Sequence, residues 1–333
     1  MEIRSRIVGT GLGVPSRVVT NKDLEKLVDT TDEWIETRTG IKTRRVVDTQ
    51  KGESNSSLSL MAARQALQKS RLQAKDIECV LLCTATPDTW MPISAARVAG
   101  ALDIPHALCM DINAACSGFV TGLSVADAYI RSGTCKHVLV MGTDVFSHIT
   151  DWKDRSTCVL FGDGSGAVVV SRTEVPSGDT KSPGILATVM RNKVDSNHDL
   201  AVMGGGSLYP FANLQGHKPL ITMNGPEVFK MGTRCMSEAA LAVLEKANIK
   251  PSEVDWMLPH QANRRIIEKV AGLVGFPMEK VFMNVEHWGN TSAATVAIGL
   301  SEMVDQGLLK PGQILLMSVF GGGFTYGATL IRW

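Results

Sequence analysis

Apolar and small residues recur at helical spacing over Leu58-Ser-Leu-Met-Ala-Ala-Arg-Gln-Ala-Leu67, which predicts an amphipathic helix. A turn at Ala74-Lys-Asp-Ile77 follows, and then the short apolar run Cys79-Val-Leu-Leu-Cys-Thr84, which reads as a strand buried on both faces. The same succession returns later. Glu227 to Lys246 has helical periodicity, Pro251-Ser-Glu-Val254 makes the turn, and Trp256-Met-Leu-Pro-His260 makes the strand. A second pair of segments agrees. Cys116 opens a helix ending near Arg131-Ser-Gly133 ahead of the strand His137 to Met141, and Asn290 precedes a helix ending near Gln306-Gly307 ahead of Ile314 to Met317. Asn290 lies 174 residues beyond Cys116, and Gly307 lies 174 residues beyond Gly133. Each half then closes on a glycine-rich turn and a strand, beginning at Phe161-Gly-Asp-Gly164 and at Phe320-Gly-Gly-Gly323.

This pattern predicts a duplicated α/β chain with mainly parallel or mixed sheets covered on both faces. The halves are expected at 1–173 and 174–333, joined through the loop-like stretch Glu174 to Gly184. At 333 residues with 44% hydrophobic content the chain is long enough for two such halves. The net charge is +1, so nucleic-acid binding is not expected, and an anionic partner has to be met by a local basic patch. Seven cysteines without a C-x-x-C pair, behind an N-terminus with no apolar leader, suggest a reduced, cytoplasmic protein. No apolar run approaches the roughly 18 residues that span a bilayer, so no membrane segment is expected.

Three residues at element ends carry candidate chemistry. Cys116 sits in Asp111-Ile-Asn-Ala-Ala-Cys-Ser-Gly-Phe119, between a strand-like run and a helix, where the helix dipole and unpaired N–H groups favour a thiolate. From position alone a buried core cysteine fits as well. His260 stands where an apolar strand stops, and Asn290 stands before a helix; singly, each also fits an ordinary hydrogen-bonded residue. Under the duplication Cys116 and Asn290 are equivalent positions, which places all three at the seam between the halves. Together they suggest acyl chemistry. The thiolate holds an acyl group as a thioester, while a neutral histidine and an amide donate to an enolate oxygen formed on loss of carbon dioxide. The Phe320-Gly-Gly-Gly323 turn brings the Gly322 N–H opposite the Cys116 N–H as an oxyanion hole.

The motifs Thr31-Asp-Glu-Trp-Ile-Glu-Thr-Arg-Thr-Gly-Ile41, Ala114-Ala-Cys-Ser-Gly-Phe119, Phe161-Gly-Asp-Gly164, Pro259-His-Gln-Ala-Asn263, Gly289-Asn-Thr-Ser-Ala-Ala294 and Phe320-Gly-Gly-Gly323 span the whole chain. In them the chain resembles the β-ketoacyl-[acyl carrier protein] synthase III family of the thiolase superfamily. The resemblance implies a thiolase-like fold of two βαβαβαββ halves in five αβαβα layers, and a homodimer. It implies that Cys116 is acylated by an acyl-coenzyme A, acetyl-coenzyme A being the expected primer. His260 and Asn290 then promote decarboxylation of malonyl-[acyl carrier protein], giving a 3-oxoacyl-[acyl carrier protein], carbon dioxide and coenzyme A. By the same resemblance Trp34 and Arg155 sandwich the adenine of coenzyme A, and Arg38 contacts its phosphate. Lys230 and Arg265, with Arg264 and Lys269 nearby, meet the acidic carrier protein, while Met91 and Phe320 line the acyl pocket, Met91 across the dimer interface. No cofactor beyond the thioester substrate and no metal is implied.

Met91 stands where the family commonly has phenylalanine, which leaves the primer open among acetyl, branched and longer acyl groups. A condensing enzyme of a specialised or type III polyketide-like pathway, an acyltransferase or hydrolase, and a silent scaffold are the rival readings. The loop Gly204 to Pro219 either caps the pocket or is plain surface. Gly9-Thr-Gly-Leu-Gly13 lacks the last position of a dinucleotide fingerprint and reads as a turn. Cys79, Cys83, His106 and Cys109 lack zinc-ligand spacing.

Overall fold

The computed structural model describes residues 1–104, 106–179 and 181–333. One sheet has five strands in the order Glu2–Gly13, Asp163–Val175, His137–Val145, Cys79–Cys83 and Leu108–Ile112. Its first two junctions are antiparallel and its last two parallel. The second sheet runs Gly184–Asn192, Thr325–Arg332, Ile314–Gly321 and Trp256–Pro259, with two antiparallel junctions and then a parallel one. The order and sense of the strands repeat. Where a fifth strand would complete the second sheet, Val281 makes a single parallel bridge to Met257. The two halves are therefore alike in topology but unequal at that edge. The crossing between them runs from Val175 to Gly184; Thr180, within the loop-like stretch of the sequence, lies outside the described residues.

Five layers result. The helices Gly118–Arg131 and Ala294–Asp305 pack between the two sheets and touch strands of both. Such a helix has no solvent face, which is why Ala294–Asp305 is apolar and small nearly all round and buried along most of its length. Asn55–Ser70 and Ser94–Ala101 cover the outer face of the first sheet, and Gly225–Ala247 covers that of the second, with Arg264–Val274 against it. In the central layer Phe119, Leu123 and Ile130 are fully buried, and truncating any one of them to alanine costs about 2–5 kcal/mol.

One expectation from the sequence is overturned here. Gly9-Thr-Gly-Leu-Gly13 is not a turn but the end of the strand Glu2–Gly13. Its three glycines alternate onto one face, where a Cβ would come within 2.1 Å of the carbonyl oxygens of Ala66, Ala62 and Leu58 in turn. They let the helix Asn55–Ser70 lie directly on the strand backbone.

Candidate active site

The strand Leu108–Ile112 delivers the chain to a tight turn in which Ala115 adopts φ 45°, and Cys116 follows in the 3₁₀ turn Ala115–Ser117. Two bonds tie this turn to the second half: Ser117 Oγ donates to the Thr325 carbonyl at 2.8 Å, and Thr325 Oγ1 donates to the Ala114 carbonyl at 2.9 Å. The glycine turn of the second half lies against it so closely that a Cβ on Gly321 would sit 2.6 Å from the Cys116 nitrogen. Gly118 is constrained less severely, since a Cβ there would meet Cys83 at 3.1 Å and Ala293 at 3.2 Å. The small residues around the cysteine are thus set by packing between the halves.

His260 follows the strand Trp256–Pro259, its N–H donating to the Ser318 carbonyl at 2.8 Å. Asn290 is held by its own main chain: its N–H donates to Leu160 O at 2.8 Å, and Gly162 N–H donates to its carbonyl at 3.0 Å. The Ser292 N–H donates to Asn290 Oδ1 at 2.9 Å. With that oxygen engaged, the Asn290 amide presents its NH₂ donors elsewhere. Cys116, His260 and Asn290 all line one cavity of about 1670 Å³, together with Gly322, Phe320, Met91, Trp34, Arg38, Arg155 and Arg265.

Burial governs the charges. His260 is pushed down to about 3 by desolvation and is neutral at physiological pH. The expectation that the helix terminus lowers the Cys116 thiol is not met, because burial pushes it up to about 12, against a hydrogen bond from Ser292. The helix proper starts only at Gly118, and a helix end contributes typically 0.3–1 kcal/mol, less than the desolvation of a closed site.

Two guanidinium groups lie over the Trp34 ring, with Arg38 Cζ 5.0 Å and Arg155 Cζ 4.8 Å from its centroid. Arg265 sits over Phe229 at 5.9 Å at the cavity wall. Lys230, Arg264 and Lys269 do not line the cavity; Lys230 pairs with Glu227 at 3.2 Å, Arg264 pairs with Glu286 at 3.6 Å, and Lys269 is exposed. Phe320 is buried against Phe324, whereas Met91 is 84% exposed and its neighbour Trp90 75% exposed at the cavity rim. Gly204, Gly205, Gly206, Phe211 and Pro219 of the loop 204–219 line the cavity. Three polar residues of the site escaped the sequence reading. Ser292 Oγ is 3.4 Å from Cys116 Sγ, Thr295 Oγ1 is 2.7 Å from His260 Nδ1, and Asp144 is buried behind them. The signal for Asp144 was a lone carboxylate in the apolar strand His137–Val145, and Ser292 and Thr295 lie just beyond Asn290.

The family description "3-Oxoacyl-[acyl-carrier-protein (ACP)] synthase III" matches residues 110–193, and its C-terminal counterpart matches residues 244–333. A β-ketoacyl-[acyl-carrier-protein] synthase III from Aquifex aeolicus is 44% identical over 329 residues, covering 99% of each chain. That of Roseiflexus sp. is 43% identical over 98% of each. The chain belongs to the β-ketoacyl-[acyl carrier protein] synthase III family. The crystal structure of the Aquifex aeolicus enzyme superposes with a TM-score of 0.90 at 44% identity, covering 99% of this chain and 100% of that one. The priming β-ketosynthase of the R1128 polyketide pathway gives 0.91 at 34% identity, over 99% and 97%. Members of this family are acyl-transferring condensing enzymes with the thiolase-like fold, and this chain is one of them. Among the described residues no helix is long and apolar enough to cross a membrane, and no group of three or more His, Cys, Asp or Glu side chains is placed to hold a metal.

Proposed function

We propose that this chain starts fatty-acid synthesis by condensing an acyl group, acetyl in the first instance, from coenzyme A with malonyl-[acyl carrier protein]. The observation that carries the reading is the convergence of the Cys116 thiol, the neutral His260 ring and the Asn290 amide in one cavity, with the amide oxygen already engaged by Ser292. The Cys116 sulfur attacks the thioester carbonyl, the coenzyme A sulfur leaves with a proton, and the acyl group remains on the enzyme. In the second half-reaction the malonyl carboxylate leaves as carbon dioxide. The electron pair it releases forms an enolate, which two donors, His260 and Asn290, stabilise at its oxygen. The enolate carbon then attacks the acyl-enzyme carbonyl, and the bond to Cys116 Sγ breaks. The N–H groups of Cys116 and Gly322 serve the tetrahedral oxyanion. Trp34, Arg38 and Arg155 hold coenzyme A, and Lys230 and Arg265, flanked by Arg264 and Lys269, meet the carrier protein. The thioester is substrate, and no further cofactor is needed.

The working unit in this reading is a homodimer. Trp90 and Met91 at the rim, and Leu108 on the outermost strand of the first sheet, are exposed apolar surface that a second copy would cover. The test is intact-protein mass after brief exposure to a panel of acyl-coenzyme A thioesters, with Cys116→Ala as control. One acyl adduct, absent from the variant, supports the reading and identifies the primer; no adduct from any thioester refutes it. Asn290→Asp separates the half-reactions: acyl transfer is retained and condensation is abolished, whereas equal loss of both points to a plain acyltransferase.

A further inference from the structure

Arg44 is the bulkiest fully buried side chain among the described residues, and it carries a charge. Burial pushes its guanidinium down to about 10, which leaves it a cation at neutral pH. Among the described residues no carboxylate pairs with it directly. Its Nη1 donates to Asn21 Oδ1 at 2.8 Å and, at 3.4 Å, to the Val19 carbonyl, while its Nη2 donates to the Val159 carbonyl at 2.9 Å. Asn21 Nδ2 in turn donates to Asp32 Oδ1 and to the Ile41 carbonyl, each at 2.8 Å. A buried cation without an ion pair carries a desolvation penalty that an apolar side chain in the same space would not. What the guanidinium adds is a fixed place for the Val159 carbonyl.

Val159 opens the segment against which Asn290 is set. The Leu160 carbonyl accepts the Asn290 N–H at 2.8 Å, Phe161 forms a parallel bridge with Asn290, and Gly162 N–H donates to the Asn290 carbonyl at 3.0 Å. The Arg44 stem backs the same spot: a Cβ added to Gly162 would lie 3.1 Å from Arg44 Cβ, and one added to Gly289 would lie 3.3 Å from it. Ser292 N–H on Oδ1 sets the turn of the Asn290 amide, so its position in the cavity follows from where residues 159–162 lie. Cys116 and His260 take their places from other contacts, the bonds of Ser117 and Thr325 for one and the Ser318 carbonyl for the other.

We propose that Arg44 is a positioning residue for the condensation step, holding the segment 159–162 so that the Asn290 amide meets the malonyl thioester. The assignment rests on the reading of Asn290 as a donor to the enolate oxygen. Misplacing such a group by about 1 Å costs on the order of a hundredfold in rate, and the thiol that takes the acyl group is not aligned by this segment.

The experiment takes two readings from each purified protein: acylation of Cys116 by acetyl-coenzyme A, followed by intact mass, and carbon dioxide release from malonyl-[acyl carrier protein]. Arg44→Lys keeps a buried cation but cannot reach Asn21 and Val159 together through one planar fork, and Arg44→Met removes the charge at similar volume. Carbon dioxide release is expected to fall about tenfold in Arg44→Lys and further in Arg44→Met, with acylation within about twofold of wild type. Arg44→Lys, the milder change, decides the matter whether or not Arg44→Met folds. A double-mutant cycle identifies the route: in the Asn290→Ala background Arg44→Lys is expected to change the residual carbon dioxide release by less than about twofold. Unchanged release in folded Arg44→Lys overturns the positioning role. So does a fall in acylation and release by the same factor, or a tenfold effect that persists without the Asn290 amide, either of which would leave Arg44 serving the fold alone. Full release by Asn290→Ala with Arg44 intact rejects the reading of Asn290 itself, so the two failures are told apart.

Discussion

Thr295 Oγ1 stands 2.7 Å from His260 Nδ1 and 3.0 Å from the Ser292 carbonyl oxygen, so a single hydroxyl proton sets which imidazole tautomer His260 adopts. When Thr295 donates to Nδ1, the ring proton sits on Nε2, and His260 offers a donor to a ligand in the cavity. When Thr295 donates to Ser292 O, Nδ1 carries the proton and Nε2 is an acceptor. Enolate stabilisation requires the first arrangement. Thr295→Val keeps the shape and removes the choice, and it is expected to slow decarboxylation of malonyl-[acyl carrier protein] about tenfold to a hundredfold while acyl transfer to Cys116 stays near wild type. Carbon dioxide release and intact mass, measured separately, check this. Equal slowing of both steps would mean that Thr295 serves packing alone.

The same histidine makes the fold acid-sensitive. Its folded pKa is lowered from 6.5 to about 3 by burial, so between those values the unfolded chain binds a proton that the folded chain does not. Stability is unaffected above the unfolded pKa and falls as pH drops below it, by up to about 1.4 kcal/mol per pH unit. The buried carboxyls of Asp144 and Asp163 act in the opposite sense, because their folded pKa values are raised and the unfolded chain releases protons first. A comparison of wild type with His260→Gln isolates the histidine. The melting temperature of wild type is expected to fall more steeply between about pH 6.5 and about pH 4.5 than that of the variant. Parallel curves would show that His260 is charged in the folded protein.

Trp34 already carries the guanidinium groups of Arg38 and Arg155 over its ring, and Arg155 Nη1 also donates to the Asp29 carbonyl at 2.7 Å. A purine entering between Trp34 and Arg155 needs roughly 7 Å, two van der Waals spacings, so a 4.8 Å stack has to open. Coenzyme A binding is therefore expected to change Trp34 fluorescence as Arg155 leaves the ring. Trp34→Ala is expected to raise KM for acyl-coenzyme A about tenfold and leave kcat within about twofold, as for binding energy remote from the reacting atoms. An unchanged KM would place the nucleotide elsewhere.

Much of this was readable in the chain because layered α/β folds write their buried strands as short apolar runs. The repeated helix–turn–strand succession and the 174-residue offset between Cys116 and Asn290 anticipated two sheets of like topology, with both residues lining one cavity. The second sheet's reduction to a bridge at Val281 was not legible, since Val281-Phe-Met283 is as apolar as many strands and only its packing limits it to one pair. Gly9, Gly11 and Gly13 misled because glycine spacing records close approach as readily as a turn, and the partner, the helix Asn55–Ser70, lies far along the chain. The thiol misled for a related reason: proximity to a helix end is local, whereas the burial that raises Cys116 comes from both halves closing over it. Asp144, Ser292 and Thr295 act through contacts between distant segments, and local spacing carries no record of those.

The four basic residues assigned to the carrier protein divide into two kinds. Arg264 is bound into the fold: it pairs with Glu286 at 3.6 Å, and its Cβ packs against Gly40 so tightly that a Cβ there would lie 2.7 Å away. Arg265, beside Phe229 at the cavity wall, and Lys269, one turn along the same helix, are exposed, as is Lys230 with its Glu227 partner. Charge at an exposed rim acts mainly on encounter, so Arg265→Glu is expected to raise KM for malonyl-[acyl carrier protein] about tenfold and to flatten its dependence on salt, with Lys230→Glu acting in the same direction less strongly. Arg264→Ala is expected to lower the melting temperature and change that KM by less than about twofold, because its charge is already engaged. Steady-state kinetics across ionic strength, alongside thermal melts, separates the two kinds. If Arg264→Ala weakens the carrier protein as much as Arg265→Glu while its melting temperature holds, the docking surface turns toward Glu286 and has to be redrawn around Arg264.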